Sequence, residues 1–185
     1  MENIKVVISD FDWTLFDMTP IEDSFKSSDK EVRKEMEKVA KTLPLSEGFR
    51  EVLDTLTKKG ILFGILSNNQ KSFIEKMVKW NKIETFDIIG RYGKEAKYPY
   101  RHVPPKHVKL EQAYKVLLEK YPDLNLKKSE ILYIGDEETD AIETRIFGGK
   151  SGGCLWFSRM RDTLLSSDYV DYLFEKPIDI LKLVG

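Results

Sequence analysis

The chain has 185 residues, of which 33% are charged and 41% apolar, and its 30 basic and 31 acidic side chains leave a formal charge of -1. That length suffices for one sizeable core, and the near balance of charge excludes a global attraction to nucleic acid or to an anionic membrane surface. Cys154 is the single cysteine, so an internal disulfide and a cysteine-built metal cluster are excluded.

The opening Met1-Glu2-Asn3-Ile4-Lys5 has neither the basic flank nor the apolar core of a signal peptide. No later apolar run approaches the length of a membrane span, and a soluble cytoplasmic protein is expected. The first element is a β-branched strand over residues 4–8, which delivers the chain into Ser9-Asp10-Phe11-Asp12-Trp13-Thr14. Val32, Met36, Val39 and Ala40 then recur at helical spacing. A second helix, capped by Ser46, buries Phe49, Val52, Leu53 and Leu56 and stops at Gly60. The strand at 61–66 ends in Ser67-Asn68-Asn69, and a third helix carries Phe73, Ile74, Met77 and Val78. A strand at 86–89 precedes the clearest helix, which follows Pro104-Pro105 and aligns Leu110, Ala113, Tyr114, Leu117, Leu118 and Tyr121 until Pro122 ends it. Residues 131–134 form a strand that runs into Gly135-Asp136-Glu137-Glu138-Thr139-Asp140. Further strands are expected at 154–157 and, more weakly, around 169–170. Strands alternating with helices predict an α/β fold, a Rossmann-like parallel sheet with helices on both faces in three layers.

Four places along this chain carry chemistry. Asp10 and Asp12 lie just past a strand, where buried parallel strands present their functional residues; alone, such a pair also decorates turns. Ser67 and the free N–H groups beside it lead into a helix, an arrangement that binds phosphate or serves as an ordinary cap. Lys106 opens the best helix, with Lys109 as a competing candidate. Asp136, Glu137, Glu138 and Asp140 put four acids within five residues, either a solvated turn or a cation site, because charges so close repel unless a cation sits among them.

In this order the four places resemble the pattern of the haloacid dehalogenase superfamily: D-x-D-x-T, a strand-terminal Ser or Thr, a Lys, then G-D-x-x-x-D, here spanning Asp10 to Asp140. The resemblance implies a sheet of order 5-4-1-2-3, with Asp10, Asp12 and Asp136 converging where the winding reverses. It implies that Asp10 is the nucleophile, Asp12 the general acid/base, and Ser67, the N–H of Asn68 and Lys106 the phosphate grip. Mg²⁺ would be held by the Asp10 and Asp136 carboxylates and the Asp12 backbone carbonyl, with Thr14, Glu137 and Asp140 in supporting positions. The second aspartate argues against the dehalogenase branch and for phosphoryl chemistry. Glu143 and Thr144 depart from the small apolar residues common at that place in the family.

Neither the interval at about 17–44 nor that at about 91–105 has room for a full second domain, so one domain over 1–185 without a full cap, and an open site, are expected. Trp13 between Asp12 and Thr14, and the Pro104-Pro105-Lys106 lead, resemble the capless magnesium-dependent phosphatase group. Arg91, Lys94, Lys97, Arg101 and Lys106, interleaved with Tyr92, Tyr98, Tyr100 and His102, would attract an anionic substrate and stack on a ring, or form a solvated loop. His102 and His107 are expected at the surface. The expected activity is hydrolysis of a phosphorylated small molecule or phosphoprotein through an aspartyl-phosphate. The alternatives are a non-catalytic protein that binds a phosphorylated ligand, phosphoryl transfer to an acceptor other than water, and, ranked lower, removal of phosphate from polynucleotide ends.

Overall fold

Six parallel strands form the middle layer of the computed structural model, which describes residues 3–25, 29–91 and 104–184. In chain order these strands are β1 (Val6–Ser9), β2 (Leu62–Gln70), β3 (Ile88–Arg91), β4 (Ile131–Gly135), β5 (Lys150–Cys154) and β6 (Tyr172–Phe174), lying in the order β3-β2-β1-β4-β5-β6. The expected five-strand order is present, and β6 extends it beyond β5. β1 is buried at all four positions, as its β-branched residues require. It pairs with β2 on one side and β4 on the other, so the crevice where the winding reverses opens beside the ends of β1 and β4.

The strand pleat divides the interior into two layers. Val7, Ile65, Leu132 and Ile134 pack into one cluster with α3 (Phe49–Lys58), which supplies Phe49, Val52, Leu53 and Leu56, and α4 (Lys71–Trp80), which supplies Phe73, Ile74 and Met77. Val6, Ile8, Leu66 and Tyr133 point the other way onto α5 (Lys106–Lys120), which supplies Leu110, Ala113 and Leu117, and onto Phe147 of α6 (Glu138–Phe147). No helix among the described residues is long and apolar enough to cross a membrane.

The segment between β1 and α3 forms a 3₁₀ turn at Thr19–Ile21, a short α1 (Glu22–Phe25) and α2 (Lys30–Ala40). Asp29 caps α2 by accepting the Glu31 N–H. Its predicted apolar stripe is buried only at Ala40; Met36 packs partly against the core, while Val32 and Val39 are exposed. Most of the basic, aromatic stretch between β3 and α5 lies outside the described residues.

Several boundaries differ from the sequence expectation, each for a physical reason. β5 lies earlier than 154–157 because it is Lys-Ser-Gly-Gly-Cys, with no periodic apolar signal to read. Gly152 is required there: a Cβ would stand 2.4 Å from the Phe174 ring of β6. β6 falls at Tyr172–Phe174 rather than 169–170, and β2 runs on to Gln70 through a register irregularity against β3. Ser46 does not cap α3. Gly48, at φ 83°, stands at the helix start, and the Ser46 hydroxyl turns instead to the Thr14 carbonyl at 3.5 Å.

Candidate active site

Past β1, the Asp10 N–H still donates to the Ile134 carbonyl (2.8 Å), so the first acidic residue is fixed by the last rung of the β1–β4 ladder. Its carboxylate is nearly buried: one oxygen accepts the Phe11 N–H at 2.7 Å and the other the Lys106 ammonium at 2.7 Å. The chain then turns sharply. Leu15 N–H returns to the Phe11 carbonyl, Phe11 anchors the turn against Phe16 and Phe73, and Trp13 takes a left-handed φ of 51°, costly for a bulky side chain.

The turn sends Asp12 a different way from Asp10. Its carboxylate reaches β2, where it accepts the Asn69 amide at 2.9 Å and the Ser67 hydroxyl at 3.3 Å. Desolvation, followed by the Asp10 charge, raises its pKa to about 6, and the hydrogen bonds from Asn69 and Ser67 temper the rise. Asn69 is a site residue the sequence reading passed over. Strand alternation carried through Ser67-Asn68-Asn69 puts Ser67 and Asn69 on one side, which is the signal that would have found it.

Across the crevice, β4 ends at Gly135, and Asp136 and Asp140 follow, both buried. Ligand oxygens of Asp10, Asp136 and Asp140 lie within 4.8 Å of one another. Desolvation, Asp10 and Asp140 raise the Asp136 carboxyl to about 8, and burial also drives Asp140 upward against the pull of Lys106. Lys106, the first residue of α5, places its ammonium between Asp10 and Asp140. Burial works against that charge, but the two carboxylates outweigh it and hold its pKa well above the usual lysine value.

The two candidate lysines are thus separated by geometry. Lys106 enters the acidic cluster, whereas Lys109, also buried, donates to the Ser67 carbonyl (3.1 Å) and to the Asn68 side chain (2.8 Å). Glu137 is exposed at the start of α6, with its N–H directed to Asp140 and its carboxylate accepting the Thr139 hydroxyl. Thr14 is fully buried beneath the turn, and its carbonyl accepts the Trp156 indole N–H at 2.9 Å. His107, expected at the surface, is half-buried: its N–H and its imidazole both meet Glu143, joining α5 to α6. Thr144 bonds back to the Asp140 carbonyl at 2.7 Å.

Three clustered carboxylates, two of them paired with the one ammonium and two with raised pKa, form a site that a hard divalent cation would relieve. All the donors are oxygens, which fits Mg²⁺ rather than a soft metal. Oxygens of Asp10, Asp136 and Asp140 lie close enough together to share such a cation. The Asp12 carboxylate faces β2, so only the Asp12 backbone carbonyl would contribute.

Known proteins share the family pattern and the fold. The model of the haloacid dehalogenase-like hydrolase family matches residues 13–151. A pyrophosphatase PpaX from Anoxybacillus flavithermus is 24% identical over 175 residues, 90% of this chain and 76% of that protein. The corresponding Bacillus cereus protein is 24% identical over 136 residues, and the match spans only 57% of its length. A haloacid dehalogenase-like hydrolase from Streptococcus pneumoniae superposes with a TM-score of 0.73 at 19% identity over 99% of both chains. A superfamily hydrolase from Ehrlichia chaffeensis gives 0.63 at 17% identity over the whole of both. These structural likenesses establish the shared fold.

Proposed function

The chain belongs to the haloacid dehalogenase-like hydrolases, and from that membership we propose that it is a Mg²⁺-dependent phosphatase that cleaves a phosphorylated small molecule through a phospho-Asp10 intermediate. The observation that carries this reading is the divergence of two neighbouring carboxylates. Asp10 faces the acidic cluster and Lys106, while Asp12 faces Ser67 and Asn69 with a pKa of about 6. A ligand-binding module has no need of a nucleophile beside a group poised to lose and regain a proton near neutral pH.

In the proposed reaction an Asp10 oxygen attacks phosphorus in line, and the bond to the leaving oxygen breaks as Asp12 delivers its proton to that oxygen. A water then attacks the acyl phosphate. Asp12 takes the water's proton, and release of phosphate restores the Asp10 carboxylate. Ser67, the Asn68 N–H and Lys106 hold the non-bridging oxygens of the phosphoryl group, and Asp140 holds Lys106 in place. Mg²⁺, held by Asp10, Asp136 and the Asp12 carbonyl, would neutralise the repulsion between the Asp10 carboxylate and the incoming phosphate. An open site, expected because neither insert has room for a full cap domain, would admit varied leaving groups.

Assay of the purified protein on p-nitrophenyl phosphate, inorganic diphosphate and a sugar phosphate, with Mg²⁺ and with chelator, tests the proposal. Diphosphate joins the panel because the matched relatives are named pyrophosphatases. Turnover that requires Mg²⁺ and is lost in Asp10→Asn is the expected result. Turnover that survives Asp10→Asn refutes the mechanism, and phosphate-ester binding without turnover favours the non-catalytic alternative.

A further inference from the structure

We infer that the loop following β5, residues 155–160, is a clasp whose Trp156, Ser158 and Arg159 act as positioning residues, fixing both arms of the site from outside it. The inference deepens the phosphatase reading and rests on it. The family match ends at residue 151, so this loop belongs to the part of the chain that the family pattern does not cover.

Each of the three side chains holds a different part of the site. The Trp156 indole N–H, which can only donate, gives its hydrogen to the Thr14 carbonyl at 2.9 Å, although the two residues are 142 positions apart. The Ser158 hydroxyl accepts the Met160 N–H at 3.0 Å, which leaves its single proton for the Asp136 carbonyl at 2.7 Å. The Arg159 guanidinium lies 4.5 Å from the centre of the Trp13 ring and is held there by a two-toothed pair with Glu22 of α1, at 2.9 and 2.7 Å.

The points of contact explain why these bonds matter. Trp13 sits between Asp12 and Thr14 in a left-handed conformation that persists only when its surroundings enforce it. Trp156 restrains the Thr14 carbonyl, one residue past Trp13, and Arg159 covers the Trp13 ring, so together they hold the turn that follows directly on Asp12. Ser158 does the same for Asp136, since holding its carbonyl fixes the plane from which its side chain leaves the backbone. β5 lies beside β4, and its loop reaches past β4 to the turn after β1, so one segment ties together the two strand ends that share the site. Supports of this kind matter because a ligand set that is not held rigidly binds its cation more weakly.

The test compares Ser158→Ala, Ser158→Thr and Trp156→Phe with the unchanged full-length chain. Mn²⁺ affinity is read by titration calorimetry, and kcat and KM are read on p-nitrophenyl phosphate. Ser158→Ala is expected to weaken Mn²⁺ binding about tenfold, the scale seen when an outer support of a metal ligand is removed, and Ser158→Thr, which keeps the hydroxyl, to restore it. Trp156→Phe keeps the packed ring but loses the donor; it is expected to weaken Mn²⁺ binding and to lower kcat with KM within about twofold of the unchanged chain. Mn²⁺ affinity unchanged in both Ser158→Ala and Trp156→Phe, or absent in the unchanged chain, overturns the clasp. Should Ser158→Ala fail to fold, Trp156→Phe carries the comparison alone. Should the unchanged chain turn over no phosphate ester, the functional reading falls, and the Mn²⁺ comparison still decides the clasp.

Discussion

Replacing Gly135 by alanine is expected to damage stability and site together. A Cβ at Gly135 would stand 2.1 Å from Oδ2, 2.6 Å from Cγ and 2.9 Å from Cβ of Asp140. Ordinary contact would require Asp140 to withdraw by roughly 1 Å or more. It has little freedom to do so: its N–H bonds to the Glu137 carbonyl at 3.0 Å, and its other oxygen is paired with Lys106. Overpacking of this kind costs about 1–3 kcal/mol. Rotation of Asp140 out of the way would weaken a buried ion pair whose complete loss costs about 3–5 kcal/mol. A loss of about 2–4 kcal/mol follows, or a fall in Tm of about 5–15 °C for a chain of this length. Urea unfolding with linear extrapolation would measure it. A double-mutant cycle with Asp140→Gly, which removes every clashing atom, isolates the cause, and the pair should be non-additive by about 1–3 kcal/mol. Gly135→Ala within about 0.5 kcal/mol of the parent, or an additive cycle, would refute the reasoning.

Three further outcomes are expected. In the metal-free protein burial and the Asp10 and Asp140 charges raise the Asp136 carboxyl from its ordinary 3.8 to about 8, so between those pH values the folded state retains a proton that the unfolded state releases. Stability of the chelated protein should therefore fall as pH rises through that window, and Mg²⁺ should flatten the slope; thermal melts across pH 4.5 to 8 (approximately the same window) would read it. Asn69→Ala removes a donor that lowers the Asp12 pKa, so the limb of the pH–kcat profile that reports Asp12 should move to higher pH; a shift to lower pH would contradict the placement of that hydrogen bond. Lys106→Met should reduce kcat by about 100-fold or more, the scale of losing one charge-stabilising donor. Lys109→Met, which instead frees the Ser67 carbonyl and Asn68, should destabilise the chain by about 1–3 kcal/mol with a smaller effect on kcat; equal kinetic losses would show that the two lysines are not divided as described.

The central sheet was legible because β1, β2 and β4 are apolar runs closed by polar turns, and the sites at their ends follow from that placement. The edges were less legible. β5 carries two glycines where β6 lies against it, so packing demanded residues that erase the usual strand signal. Asp10, Asp12, Ser67, Lys106, Asp136 and Asp140 could be named because their spacing repeats a known pattern. The direction in which each points could not be read, since it is set by the left-handed Trp13 and by partners far along the chain: Asn69 for Asp12, Lys106 for Asp10. Trp156 and Ser158 left no sequence signal, because a side chain that serves a backbone carbonyl across 142 or 22 residues answers to no local period.

Capture of the phosphorylated enzyme tests the central claim most directly. Asp12→Asn, with p-nitrophenyl phosphate and Mg²⁺, should still transfer the phosphoryl group, because nitrophenolate leaves without an acid, but should lose the base for the second step. The account predicts a burst of one nitrophenolate per protein, and homoserine at position 10 after quenching and borohydride reduction. Absence of a burst and of modified Asp10, in a protein whose parent turns the ester over, would contradict it.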